Sequence, residues 1–191
     1  MNDFDKELLA SNLIGAKTLK ELSIKEQLLT TDKIIQIKKN PIEGNFDYTH
    51  LKEINKILFE DIYVWAGLDR YDIGHRGVFR KGDTEFTHGS KLPEVANTLF
   101  NALKNENYFK GLERKEFIQS AASFLNGLNI LHPFREGNGR TQRLFMELLA
   151  QNAGYPIDLS TVSKTTTIQS CILGAKGKLT GFEKIIEYSL R

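Results

Sequence analysis

Apolar side chains in this chain recur at intervals of three and four. Leu51, Ile54, Leu58, Ile62 and Trp65 do so, with Ile57 widening the stripe. Phe117, Ala121, Phe124, Leu128 and Leu131 repeat it. That period fits one face of a helix and not the alternation of a strand. Proline hardly interrupts it, since only Pro41, Pro93, Pro133 and Pro156 occur. The spacing predicts a helix capped by Asp47 or Thr49 and ended by Gly67, and a second from Glu113 to Leu131 between Gly111 and Pro133. A third opens near Asn138 and runs to Gly154. Fainter periods predict helices over 3–22, 24–38, 91–107, 160–175 and 179–189, the first two interrupted by breaks at positions the spacing does not fix. Tyr71 to Ser90 departs from the pattern. It sets Gly74, Gly77, Gly82 and Gly89 among Tyr, Ile, Val, Phe and Thr, which fits a β-hairpin or an irregular loop. The fold class expected is therefore all-α with one small β excursion. A length of 191 residues suits one domain, or one domain with a helical appendage. The break at Asn40-Pro41 predicts a helical lead-in over 1–39 packed on a domain of 40–191.

Composition narrows the function classes. Hydrophobic residues make up 40% and charged residues 26%, the balance of an ordinary globular protein. Lys and Arg total 26 against 24 Asp and Glu, a net charge of +2, which argues against a general nucleic-acid coat but not against one local basic pocket. No apolar run approaches the roughly 20 residues needed to span a bilayer. Met1-Asn2-Asp3-Phe4-Asp5 lacks the build of a signal peptide. The expected location is the cytoplasm, although a receptor-read export signal would leave no trace of this kind. The single cysteine, Cys171, forbids an internal disulfide and reads as a small apolar residue on a helix.

The chemistry concentrates in His132-Pro133-Phe134-Arg135-Glu136-Gly137-Asn138-Gly139-Arg140-Thr141-Gln142-Arg143. Pro133 stops one helix and Gly137-Asn138-Gly139 opens another. The first amides of the new helix lack internal partners and sit at the positive end of its dipole, a ready site for phosphate. Arg140 and Arg143 share a face of the first turn, where cations oppose the dipole unless a polyphosphate joins them. Glu136 is a lone carboxylate beside that cradle, the usual kind of protein ligand for Mg²⁺. His132 is a base of near-neutral pKa at the loop's other end. Together these describe transfer of part of a nucleoside triphosphate to a hydroxyl. Each feature also has a plainer reading: a histidine that only precedes a helix stop, glycines that only turn, or Arg140 and Arg143 paired with Glu136 and Glu147 on a solvated face. Phe134 reads as an apolar peg in either case.

The same stretch is similar at every fixed position to the Fic motif, His-x-Phe-x-Asp/Glu-Gly-Asn-Gly-Arg-x-x-Arg. Asn40 to Asp47 and Leu58 to Gly67 resemble the opening of the Fic core in toxin-type and effector-type members, and Lys81-Gly82 with Phe86 resembles the end of the family's flap hairpin. The resemblance implies an all-α helical bundle with a small β-hairpin flap over the active-site loop. It implies transfer of AMP from ATP to a Ser, Thr or Tyr hydroxyl of a target protein. In that frame His132 is the base and Glu136 holds Mg²⁺. Gly137, Asn138 and Gly139 form the anion cradle, Arg140 binds phosphates and Arg143 reaches the γ-phosphate. Lys81, Gly82, Asp83 and Thr84 form the flap that aligns the target by strand addition. Members that transfer phosphate instead carry Lys where this chain has Gly139, which favours AMP transfer.

Two positions depart from the pattern. Asn55 stands where the family commonly has histidine, a change expected to touch packing. The stretch from Arg70 to Lys81, with His75, Arg76, Gly77 and Val78, is longer than in many relatives. The family's inhibitory pattern, Ser/Thr-x-x-x-Glu-Gly/Asn, is missing from the C-terminus. At Glu43-Gly44 it is only partial, because position 39 is Lys, and a turn is expected there. The resemblance then implies inhibition in trans by a small antitoxin-like protein. Transfer of another nucleotide or phosphate-containing moiety, and a catalytically idle binding module, are the competing readings. Neither a membrane nor a nucleic acid is expected as a partner.

Overall fold

The computed structural model describes residues 3–191. Met1 and Asn2, part of the N-terminus read above as lacking a leader's build, lie outside the described residues. Eight helices and one two-stranded sheet form the described chain: α1 (Asp3–Ala10), α2 (Leu19–Lys39), α3 (Tyr48–Phe59), β1 (Arg80–Lys81), β2 (Thr84–Glu85), α4 (Leu92–Asn105), α5 (Arg114–Leu131), α6 (Asn138–Asn152), α7 (Lys164–Ala175) and α8 (Thr180–Ser189). The all-α expectation with a small β excursion holds.

The central helix is α5, packed against α4, α6, α7 and α8. It opens with a reciprocal cap in which Glu113 and Glu116 each accept from the other's backbone N–H. Phe117, Ala121, Leu128 and Leu131 are fully buried along it, and Ala121 and Ala122 leave room for close neighbours. Phe100 of α4 meets Phe124 of α5 and Phe145 of α6 edge to face, at 5.6 Å and 5.8 Å. On the other side of α6 lies α3, then α2 and α1 in turn. Leu22 and Ile37 bury the inner face of α2.

One predicted helix ends early, and an expected break finds its place. The stripe through Trp65 does not make one helix to Gly67, because α3 stops at Phe59. Ile62, Tyr63 and Trp65 are buried all the same, but by a chain that folds back and bonds to the lead-in. Leu13 N–H donates to Ile62 O at 2.8 Å and Val64 N–H to Ser11 O at 3.2 Å. Trp65 Nε1 donates to Ser11 Oγ at 2.9 Å. Tertiary pairing wins over the local period there. Asp47 is the cap, accepting from His50 N–H at 2.8 Å. The helix expected over 3–22 breaks at Ala10, because the Asn12 side chain accepts from Ala16 N–H at 2.8 Å and shapes a local turn. Thr18 then caps α2, which continues without a break through residue 24 to Lys39.

Candidate active site

The loop between α5 and α6 is built from its backbone outward. His132 closes α5 with its N–H on Leu128 O at 3.0 Å and takes the left-handed conformation, φ +42°. A non-glycine residue holds that conformation only when its surroundings fix it. Here Arg70, almost fully buried, supplies the fixing. Its Nε donates to His132 O at 3.0 Å, and Nη2 donates to Thr87 O at 2.7 Å and Leu131 O at 3.3 Å. Phe134 is fully buried, the peg expected. Asn138 folds its side chain back across the loop. Its Oδ1 accepts from Phe134 N–H at 2.9 Å and its Nδ2 donates to Phe134 O at 2.6 Å. Gly137 has φ +79°, and a Cβ there would collide with the Phe59 ring, so glycine is required twice over.

The loop delivers the first turn of α6 to a groove of about 750 Å³ between α2 and α6. Glu136, Gly137, Gly139, Arg140 and Arg143 line it; His132 and Asn138 do not. The amides of Asn138, Gly139 and Arg140 have no acceptor one turn back, which leaves the helix's positive end facing the groove. Among the described residues Arg143 makes no ion pair and no hydrogen bond, and burial, with the Arg140 cation beside it, pulls its pKa down. Glu147, a candidate partner on the solvated-face reading, is engaged elsewhere, by Lys38 Nζ at 2.8 Å and Leu159 N–H at 2.8 Å. Glu136 accepts from Gly137 N–H at 2.9 Å and lies 3.8 Å from both Lys81 Nζ and Arg140 Nη2. Among the described residues no three His, Cys, Asp or Glu side chains gather as a metal cage.

The hairpin stands over the loop. Arg80 pairs with Glu85 and Lys81 with Thr84, antiparallel, around Gly82 and Asp83. Gly82 turns at φ +58°. Below the hairpin Phe86 stacks on His132 at 3.8 Å between centroids, and Phe79 flanks it at 5.8 Å. Both ring nitrogens of His132 are buried without a hydrogen-bond partner. Burial first, then the cations of Lys81 and Arg70, push its pKa down to about 3.

Residues 45–150 match the model of the Fic/DOC family. The chain belongs to that family. It is 37% identical over 162 residues to the protein adenylyltransferase VbhT of Bartonella schoenbuchensis, a match covering 84% of this chain and 33% of that protein. It is 38% identical over 137 residues to a probable protein adenylyltransferase Fic of Escherichia coli K12, covering 71% and 66%. The chain thus spans a third of the length of the first relative and just under two thirds of the second. Its fold superposes with a TM-score of 0.88, at 28% identity, on the VirB-translocated effector BepC of Bartonella tribocorum crystallised with AMPPNP, covering 94% of this chain and 91% of that one. A Fic domain from Bartonella quintana with bound ADP superposes with a TM-score of 0.85 at 30% identity, covering 94% and 89%.

In this Fic domain the departures noted in the sequence resolve as structure. Asn55 is buried, donating to Thr141 Oγ1 at 3.0 Å and accepting from Gly67 N–H at 2.9 Å, so it ties α3 to α6 and to the turn that follows α3. The long stretch before the flap packs through Gly77 O and Arg76 O, which accept from Gly89 and Ser90 N–H. Glu43 is exposed in an irregular segment and does not line the groove. Cys171 keeps its thiol, with burial pushing the pKa up to about 11. Sequence reading named Phe86 only as the end of the flap and did not foresee its stack on His132; it missed Arg70, which touches the loop, and Glu26 and Thr30, which touch Arg140, because no local spacing links those segments to the motif. Among the described residues no helix is long and apolar enough to cross a membrane.

Proposed function

We propose that this chain transfers AMP from ATP to a hydroxyl side chain of a target protein. The observation that carries the reading is Arg143, a guanidinium with no hydrogen bond or ion pair among the described residues. Its groove already holds a positive helix end and Arg140, and the groove's carboxylates Glu26 and Glu147 are engaged by other cations. Such a place is electrostatically costly until an anion fills it. The amides of Asn138, Gly139 and Arg140 would receive phosphate oxygens, Arg140 would hold the same chain of phosphates, and Arg143 would bind the terminal one. Glu136 would hold a Mg²⁺ ion, since its carboxylate borders the groove; Lys81 and Arg140, each paired with it at 3.8 Å, would then yield their place. The ion, when bound, would neutralise charge on the phosphates.

His132 is unprotonated at neutral pH, but its pKa of about 3, against the near-neutral value expected from the sequence, makes it a weak base until its surroundings change. The target oxygen would bond to the α-phosphorus as its proton passes to His132, and pyrophosphate would leave with the bond to the α-phosphorus. A target segment paired along Lys81 to Thr84 would bring its hydroxyl to the ring, and engagement must also draw Phe86 aside. The negative triphosphate would raise the basicity of His132 as it arrives. Partners in this reading are the target protein and a small antitoxin-like protein whose carboxylate occupies the place at Arg143. The setting is the cytoplasm, of the producing cell or of a recipient.

The test is incubation of the purified protein with a cell lysate and labelled ATP, GTP or UTP, followed by mass spectrometry for the added group. Added AMP from ATP is expected, with a loss of about 10²–10⁴-fold in His132→Ala. Label from GTP or UTP alone would replace ATP as the donor, and an undiminished signal in His132→Ala would overturn the reading.

A further inference from the structure

The family model begins at residue 45, yet the groove has a wall that comes from before it. On α2, Glu26 Oε1 accepts from Arg140 Nη2, and Thr30 Oγ1 accepts from Arg140 Nη1 at 3.2 Å. The other carboxylate oxygen of Glu26 accepts from Tyr63 Oη. Tyr63 in turn stacks flat on Trp65, 4.3 Å between centroids and 13° between planes. Burial and the Glu26 contact raise the Tyr63 pKa, so its hydroxyl remains a donor. Thr30 is itself buried and tethered, its Oγ1 donating to Glu26 O at 2.8 Å. Below the guanidinium lies the Phe59 ring, 4.8 Å from Arg140 Cζ. The arginine is therefore gripped on two nitrogens and one face. A guanidinium carries five N–H donors, and this grip uses two, which leaves three for a ligand.

We propose that Glu26 is a positioning residue for nucleotide binding: from the lead-in helix it fixes Arg140 in the orientation that receives phosphate. The proposal rests on the AMP-transfer reading for its substrate and deepens that reading. A free arginine at a helix N-terminus is repelled by the dipole and by its neighbour Arg143, and it loses rotamer freedom when a ligand orders it. Glu26 offsets the first cost and removes most of the second before the ligand arrives. The opposite possibility, that Glu26 competes with phosphate for Arg140, predicts the opposite sign in every binding measurement.

Binding of ATP to the full chain is measured by calorimetry, with and without Mg²⁺, for the wild type, Glu26→Gln, Tyr63→Phe, Arg140→Lys and the Glu26→Gln/Arg140→Lys pair. Glu26→Gln keeps the shape but loses the charge and one of the two acceptors, since its amide nitrogen only donates, and it is expected to weaken ATP about tenfold. Tyr63→Phe, which removes one tether of Glu26 and keeps the ring stack, is expected to weaken ATP severalfold. Adenosine, which has no phosphate, is expected to bind all of them alike. The double variant is expected to match Arg140→Lys alone, since Glu26 acts through Arg140; a role in stability only would add in both backgrounds and lower the melting temperature. Unchanged or tighter ATP binding in Glu26→Gln, or additive losses in the pair, would overturn the proposal. The AMP-transfer reading fails separately, if the wild type binds ATP but transfers nothing.

Discussion

His132 carries no charge over the pH range in which a cell operates, and the reason is its surroundings. Its ring lies between Phe86 and Phe79, with Lys81 and Arg70 nearby, and its pKa falls from 6.5 to about 3. The unfolded chain takes up the proton as pH drops below about 6.5, whereas the folded chain refuses it until about pH 3. Between those values the unfolded state holds more protons, so the protein loses stability as the medium acidifies. Urea unfolding followed at pH 7, 6, 5 and 4 is expected to show this as a slope approaching about 1.4 kcal/mol per pH unit, from this residue, below pH 6. The slope should flatten by that amount in His132→Ala; an identical slope in both proteins would show that the ring is reached by water. The histidine itself was legible in the sequence, since it stands at a fixed place in a long motif. Its seclusion was not, because Phe79, Phe86 and Arg70 lie more than forty residues upstream and follow no helical or strand spacing.

The stretch between α5 and α6 shows how one element is made rigid without regular structure. Both of its ends turn through the left-handed region, at His132 and Gly137. Asn138 fastens the middle by serving both polar groups of Phe134. In Asn138→Ala a buried N–H and a buried carbonyl would lose their partners, a destabilisation of about 2–4 kcal/mol. Thermal unfolding should reveal it as a lower midpoint, with nucleotide binding weakened at temperatures where the variant is still folded. A neutral result would mean that the loop is held by packing alone. The sequence assigns Asn138 to the phosphate cradle by resemblance. Asn138 does not line the groove; its side chain closes the loop instead. Element identity followed from apolar spacing nearly everywhere, in α5 and α6 above all. The errors fall at Phe59, where hydrogen bonds between the lead-in and the 60–67 turn outweigh the local period, and in α2, which runs unbroken where a break is expected.

At the scale of the molecule, the lead-in over 1–39 and the domain over 40–191 remain our proposed division, and their joint behaviour can be tested. Leu22 and Ile37 are buried against the rest, Glu7 pairs with Arg135 at 2.7 Å, and Glu26 grips Arg140. Two buried aliphatic side chains contribute about 1.5–3 kcal/mol each, a large share of the stability of a domain this size. Removal of residues 1–39 is expected to cost on the order of 5 kcal/mol or to abolish folding, read by circular dichroism during urea titration. A truncated chain of undiminished stability would make the lead-in a true appendage. The grip of Glu26 on Arg140 spans 114 residues of chain. A growing polypeptide on the ribosome presents the acid long before the base it must hold, and the helix that carries the base needs α5 to lie on. The grip therefore cannot close until both segments have emerged and α6 has found its seat.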